Sequence, residues 1–298
     1  MAGNLAQNTA NNYRRISRCH VWGVNRKTMA NRKANPSSEE RYRAPALDKG
    51  LDILELFVAE DAPLALSEVA RRLDRSVGEI FRMVMTLERR GYLALDPDTD
   101  QYRLSLKIFR LAHRHAPIRQ LASASSDLMK RFTREMRQSC HIAVPHGGRG
   151  LIVVQEDSPT NRGFRVRLGA ELALESTCSG RIILANLDDE ERAHQLALAE
   201  LIDDREECSR RELEEAMDEI RSKGYYQVKS KYTKGVTDLG CPIFGYNGEF
   251  KGALTTPFLG RIDRNQIDLT TVRKRLIEIA SEISENLGYD PEWAKVAG

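Results

Sequence analysis

No apolar run in this sequence approaches the ~18 residues that a membrane-spanning helix needs. The longest candidate, Ile182-Ile183-Leu184-Ala185, is cut off by Asn186 and then by Asp188-Asp189-Glu190-Glu191. The basic N-terminus has no apolar segment behind it, so no secretory signal peptide is expected. Cysteine is sparse: five residues, Cys19, Cys140, Cys178, Cys208 and Cys241, with no Cys-x-x-Cys pair. An odd, scattered set disfavours a disulfide framework, and the adjacent pairs Cys19-His20 and Cys140-His141 lack a metal-ligand spacing. Excess charge of one sign is also missing. The formal net charge is +3, although residues 1–43 hold nine Lys/Arg against two acids and the rest is net −4. Affinity for a polyanion must come from a local basic face or from that leading segment.

What is present suits about two soluble domains: 298 residues, 41% hydrophobic and 30% charged. Residues 1–44 are rich in Asn, Arg and Ser with little apolar periodicity, which predicts a disordered basic tail. Three other readings stay open for it: an organellar transit peptide, an early start with Met29 as the initiator, or a tail adding non-specific DNA affinity.

Residues 45–106 predict a winged helix-turn-helix. The first helix, over 46–60, aligns Leu47, Leu51, Leu54 and Val58 on one face. Ser67 is expected to cap a second helix with Val69, Ala70 and Leu73 inward, and Asp74-Arg75 to make the turn. The third helix spans 76–90. It opens with the capping box Ser76-x-x-Glu79 and stops at Gly91. Apolar pieces at 92–95 and 101–104 flank a turn-rich tip at 96–100 and form the wing.

On a helical wheel Ile80, Met83, Val84 and Leu87 share one side of the third helix, and Glu79, Arg82, Thr86 and Arg89 the other. A solvated charged face is the plain explanation of such a stripe. On the second helix of a helix-turn-helix it is instead the surface that enters the DNA major groove. Arg82 can fork onto guanine O6 and N7. Gly78 permits close backbone approach, and Ser76 with the helix N-terminus can hold a phosphate. Glu79 can accept from cytosine N4, although capping is its plainer role. Ser67, Arg71, Arg75 and the wing residue Arg103 complete the expected DNA contacts.

Residues 107–118 are expected to form a linker helix, and 119–290 a second, α+β domain. Its predicted helices lie at 118–139, 177–186, 188–198, 209–223 and 269–287. Its predicted strands lie at 141–146, 150–157, 164–168, 225–229, 238–244 and 250–258, with Asn247-Gly248 as a hairpin signal and a second capping box at Ser209-x-x-Glu212. Residues 291–298 read as a tail.

The segments Ala46-Leu47-Asp48-Lys49-Gly50-Leu51, Leu66 through Leu73, Leu87 through Tyr92, Tyr102-Arg103-Leu104, and Gly235-Val236 leading to Cys241-Pro242-Ile243-Phe244 are weak singly. In this order and spacing they resemble the IclR family of bacterial transcription regulators over about residues 46–288. The resemblance implies a winged helix, a linker helix and a GAF-like effector-binding domain with a mainly antiparallel sheet. It further implies a cytoplasmic homodimer, often paired into tetramers, on double-stranded operator DNA, responding to a small organic acid and needing no cofactor or metal. The chain departs from the family pattern in several places. Val77-Gly78-Glu79 replaces the usual Lys-Ser-Thr, Arg181 stands for a usual Lys, Lys229-Ser230-Lys231 replaces frequent acids, and Asp238 replaces a frequent Cys.

Polar residues interrupt the apolar strands of the second domain at three places. Ser176, Thr177, Ser179 and Gly180 lie where a helix begins, Thr237 and Asp238 precede Cys241, and Thr255 and Thr256 lie on the last strand. A helix N-terminus with hydroxyls favours a carboxylate, and Asp238 can accept from ligand hydroxyls, so a hydroxylated acid is the expected effector. The plainer alternative has Thr177 merely capping and Asp238 completing a turn. His141 reads as a packed core residue. A redox-sensing or ligand-independent DNA binder, and an enzyme built on the second domain, are the competing classes; no nucleophile–base spacing supports the last.

Overall fold

The computed structural model describes residues 44–60, 62–114, 116–161, 163–202, 208–260 and 267–290. The predicted tail at 1–44, apart from Ala44, and the predicted tail at 291–298 lie outside them. The backbone divides after Arg114 into two units.

The first unit runs α1 (Pro45–Ala59), β1 (Leu64–Ala65), α2 (Leu66–Arg72), α3 (Val77–Arg89), β2 (Leu93–Asp96), β3 (Gln101–Leu104) and α4 (Lys107–Arg114). Its core gathers Ile53, Phe57, Val69, Ile80, Val84, Leu93 and Tyr102. Of the α1 face predicted to be apolar only Leu54 packs against the core: Leu47, Leu51 and Val58 are exposed while Ile53 and Phe57 pack inward. The helix is apolar on two sides, and periodicity alone does not choose between them. The capping box at α3 has both halves: Ser76 Oγ accepts from Glu79 N, and Ser76 N donates to Glu79 Oε2 at 2.9 Å. Gly91 follows at φ 73°, the left-handed conformation that ends the helix. The wing is an antiparallel hairpin in the predicted place, extended by the two-residue β1 in the order β1-β3-β2. Ser67 does not cap α2, which starts at Leu66 after Ala65 without a side-chain cap.

The second unit is built on a six-stranded antiparallel sheet. The elements are α5 (Ala116–Met136), β4 (Cys140–His146), β5 (Arg149–Glu156), β6 (Glu171–Ala173), α6 (Cys178–Asn186), α7 (Asp189–Ala199), α8 (Arg210–Lys223), β7 (Tyr226–Lys229), β8 (Val236–Phe244), β9 (Phe250–Leu259) and α9 (Leu269–Asn286). The strand order is β6-β5-β4-β9-β8-β7. One core packs Met129 and Phe132 of α5 and Leu276, Ile279 and Ile283 of α9 against Ile142, Leu239 and Leu254. The other packs Ile182, Ile183 and Leu184 of α6 and Leu213 and Ile220 of α8 against Ala143, Ile152 and Ala253. Because successive strand residues point to opposite faces, β4 gives Ile142 to one core and Ala143 to the other, and β9 likewise gives Leu254 and Ala253. The β8–β9 turn carries Asn247 and Gly248 at φ 61° and 75°, as the predicted Asn-Gly turn requires.

Two expectations fail here. Residues 164–168 form no strand; they lead into a turn at Leu168 beside β5, where Leu168 N donates to Gln155 Oε1 at 3.0 Å. The second capping box is half made. Ser209 accepts from Glu212 N, but the Glu212 carboxylate is drawn away to Arg181 and Lys231.

Candidate functional site

The outward side of α3 carries exposed Gly78, Arg82, Thr86 and Arg89, with Arg103 exposed on the wing. Arg82 and Arg89 make no ion pair among the described residues, so both guanidinium charges face solvent. Thr86 Oγ1 donates to Arg82 O at 2.7 Å. A Cβ added at Gly78 would meet nothing within 4 Å, which leaves the first turn open to close approach.

Four expected contacts are otherwise engaged. Arg75 turns inward onto Asp52 of α1 at 3.3 Å, with its Nε buried and unpaired. Arg71 is exposed but spends its fork on Glu68, at 2.9 and 2.6 Å, and Arg72 shares that carboxylate. Hydrogen bonds from Arg71 and then Arg72 hold Glu68 down at a pKa of about 2. Glu79 is committed to its cap and to Lys49 at 3.2 Å, which keep its carboxyl near 2 as well. Its capping role therefore prevails over base contact. Ser76 uses its hydroxyl in the same cap, and Ser67 is exposed on α2. Two residues of this face escaped the sequence reading, Val77 and Phe81, whose side chains stand exposed on the first two turns of α3.

The second unit encloses a cavity of about 310 Å³ between the sheet, the start of α6 and the segments 164–173 and 230–232. Thr177 caps α6, accepting from Gly180 N at 3.0 Å and donating to Ala173 O at 2.6 Å. This sets Thr177, Cys178 and Ser179 into the cavity wall. Ser179 Oγ bonds Thr255 Oγ1 at 2.9 Å and lies 3.2 Å from His141 Nε2. Register makes this chain possible, since His141 of β4 stands directly opposite Thr255 of β9. Burial pushes the His141 pKa down to about 4, so the ring is neutral at pH 7. Asp238 lines the same space; burial raises its carboxyl to about 6 against the opposing effect of a hydrogen bond from Ser230. Phe164, Val166 and Leu172 form an apolar wall, and Arg149 and Glu171 add charge. Tyr232 closes one side, its hydroxyl 2.6 Å from Ser176 Oγ.

Thr177, Ser179, Asp238 and Thr255 are thus brought together, and five other expected residues are not. Cys241 belongs to the core on the opposite face of the sheet. Thr256, next to Thr255, points to that same face and donates to Ser139 O at 2.7 Å. Thr237 has the same parity as Leu239 and stays out of the lining. Gly180 is buried against β6 rather than open to the cavity. Ser176 reaches the wall only through Tyr232. Sequence reasoning missed His141, Arg149, Phe164, Val166, Ser230 and Tyr232. The alternation Phe164-Arg165-Val166-Arg167 was the available signal for the apolar wall.

No group of three or more His, Cys, Asp or Glu side chains that could hold a metal occurs among the described residues. Burial pushes the Cys140 and Cys178 thiols above their ordinary range and Cys241 up to about 12, which suppresses the reactive thiolate that a redox sensor needs. No helix among the described residues is long and apolar enough to cross a membrane.

Comparisons with known proteins bear on both units. The IclR helix-turn-helix domain matches residues 46–97, and the bacterial transcriptional regulator IclR C-terminal domain matches residues 113–285. The HTH-type transcriptional regulator BhcR of Paracoccus denitrificans is 29% identical over 247 residues, covering 80% of this chain and 86% of the relative. KdgR of Escherichia coli is 24% identical over 254 residues, covering 82% and 96%. The crystal structure of Thermotoga maritima IclR matches with a TM-score of 0.63 at 25% identity, covering 82% of this chain and 98% of that one. An IclR homolog from Microbacterium hydrocarbonoxydans, complexed with 4-hydroxybenzoate, matches at 0.66 and 20% identity, covering 82% and 99%. With a DNA-binding helix-turn-helix unit followed by an effector-binding unit, both matched in order, the chain belongs to the IclR family of bacterial transcriptional regulators.

Proposed function

We propose that this regulator reads operator DNA with α3 and the wing, and that a small hydroxylated organic acid in the second-unit cavity controls that binding. The observation that carries the ligand class is the cavity wall itself. A capped helix N-terminus with the Thr177 and Ser179 hydroxyls suits a carboxylate, an apolar wall suits a carbon skeleton, and Asp238 suits a hydroxyl donor. The Microbacterium homolog is complexed with 4-hydroxybenzoate, a hydroxylated acid, which makes that class the first to test. The protein works in the cytoplasm as a homodimer, itself able to pair into tetramers. The exposed Leu47, Leu51 and Val58 of α1, with Leu106, Phe109 and Leu111 around α4, supply apolar surface for that pairing. Effector binding then changes DNA affinity by linkage.

A thermal-shift screen of small hydroxy acids tests the cavity. A ligand at ~100 times its Kd should stabilise the protein by about 2.7 kcal/mol. Asp238→Asn should abolish the response to the best of them while unliganded DNA binding is kept. A full response in the variant would remove Asp238 from the site. The same variant carries a pH signature. A carboxyl raised from 3.8 to about 6 favours the folded state below 3.8, and that contribution is lost as pH rises to about 6 and beyond. Unliganded Asp238→Asn should therefore melt roughly 2–4 °C above wild type at pH 8, for ~1 kcal/mol, with the gap closing toward pH 4.

Arg82→Ala tests the DNA side. Operator affinity should fall by about 1–3 kcal/mol, measured by fluorescence anisotropy against non-specific duplex, with the melting temperature unchanged. Undiminished sequence preference would take α3 out of the interface.

A further inference from the structure

The first two turns of α3 combine features that a solvated charged face does not need. Val77 and Phe81 are four residues apart and therefore neighbours on the helix surface, and their exposures are 44% and 47%. Neither belongs to the winged-helix core, whose α3 members are Ile80 and Val84 with Met83 and Leu87 beside them. The pair flanks Gly78, where no side chain intervenes and an added Cβ would meet nothing within 4 Å. Arg82 follows Phe81 directly, and Arg89 lies two turns further on; both are exposed.

An exposed Phe on a helix otherwise polar on that side calls for an occupant. The flanking Arg82 and Arg89 select a polyanion rather than a second apolar protein surface, because like charges would have to be buried against a protein partner. In a helix-turn-helix, the N-terminal residues of this second helix contact base edges in the major groove. The only apolar group that groove displays is the C5-methyl of thymine.

We propose that Phe81, supported by Val77, is a specificity-determining residue that packs on thymine methyl groups beside the guanine taken by Arg82. α3 then reads a mixed step: a forked hydrogen bond to a purine edge and an apolar contact to the neighbouring pyrimidine methyl. Gly78 lets the helix descend far enough for the shorter Val77 side chain to reach the same floor. The inference rests on α3 entering the major groove. It adds which base the apolar residues require.

Deoxyuridine scanning is the test. A preferred site is first recovered from a random duplex pool with the full-length protein. Each thymine in it is then replaced singly by deoxyuridine, which pairs identically but lacks the methyl. At one or two positions in each half-site, wild-type affinity should fall about fourfold per methyl lost. 5-Bromodeoxyuridine, whose halogen fills the methyl's place, should restore it. Phe81→Ala should bind thymine and uracil sites equally at those positions, and its circular-dichroism melt should match wild type because the ring is outside the core. Unchanged wild-type affinity at every uracil, or the same thymine-to-uracil ratio in Phe81→Ala, overturns the proposal. If Arg82→Ala weakens binding while the uracil scan is flat, the methyl contact alone falls and groove entry by α3 stands. If no preferred site is recovered, both fall together.

Discussion

Arg181→Ala is expected to destabilise the second unit by about 3–5 kcal/mol. The side chain is 3% exposed and each of its three nitrogens donates. Nε donates to Glu175 O at 2.8 Å, Nη1 to Tyr226 Oη at 2.7 Å, and Nη2 to Glu212 Oε1 at 2.5 Å and to Cys208 Sγ at 3.4 Å. Burial works against its charge, but the bonds to Glu212 and Tyr226 outweigh that and raise its pKa further. Truncation leaves a buried carbonyl and a buried hydroxyl without their donor, and that loss, rather than the ion pair, supplies most of the cost. Glu212 is 44% exposed and can be rehydrated. Lys in this place would keep a charge near Glu212 but not the planar fork that serves four acceptors, so Arg181→Lys should fall between the two.

The pH dependence of that loss has a definite sign. Arg181 and then Lys231 hold the Glu212 carboxyl below its ordinary 4.5. Its share of the stability is present above that value and is lost as pH falls through the lowered pKa, so the gap between wild type and variant should narrow in acid by that share without closing. Urea unfolding followed by circular dichroism at pH 7.5 and pH 4 measures both effects. The same carboxylate holds Lys231 at 3.1 Å, beside Tyr232 on the cavity wall. Effector response should therefore weaken in Arg181→Ala even where the fold survives. A variant that melts like wild type at pH 7.5 would show that the network contributes little.

The parts of this fold legible in the sequence are those whose cause is local. Ser76 and Glu79 sit three residues apart and make their box within one turn; Asn247-Gly248 needs only two positive φ angles; the α9 stripe of Val272, Leu276, Ile279 and Ile283 needs only its own period. What escaped depends on partners distant in sequence. β1 exists because Leu64 and Ala65 meet Tyr102 and Gln101 of the wing. Arg75 leaves the DNA face because Asp52 waits on α1. In the cavity, a polar residue on a strand announces itself but not the face it serves. Thr255 and Thr256 look alike in sequence, and only the sheet decides that one meets Ser179 and the other Ser139. His141 was read correctly as buried and incompletely as core, since burial in a strand and membership of a cavity wall leave the same sequence trace. Residues 164–168 alternate like a strand because one side of them does face apolar space, namely the cavity, yet alternation says nothing about whether the backbone finds a ladder.

Gly180→Ala should be the second large loss, and its sign runs against helix propensity. Alanine in a helix is worth about 1 kcal/mol more than glycine, so propensity alone forecasts a gain at the third residue of α6. Here a Cβ would stand 2.4 Å from both Ala173 O and Leu174 O and 2.5 Å from Leu174 Cα. These are backbone atoms at the end of β6, so no side-chain rotation relieves the overlap, and α6 must lift away from the strand. Overpacking of this kind costs about 1–3 kcal/mol and occasionally more; at the upper end, less the propensity gain, a net loss of about 2 kcal/mol and roughly 4–8 °C in Tm is expected. The shift also breaks function, because the bonds from Gly180 N to Thr177 Oγ1 and from Thr177 Oγ1 to Ala173 O hold the α6 start in the cavity wall. Gly78→Ala is the matched control. It lies at the second residue of α3 with nothing within 4 Å of an added Cβ, so the same substitution there should leave Tm unchanged or raise it. Differential scanning calorimetry of the two variants decides the matter: opposite signs support direct contact of α6 backbone with β6 as the device that shapes the cavity, and a rise in both would mean that α6 stands further from the strand and that Thr177 is free to turn away.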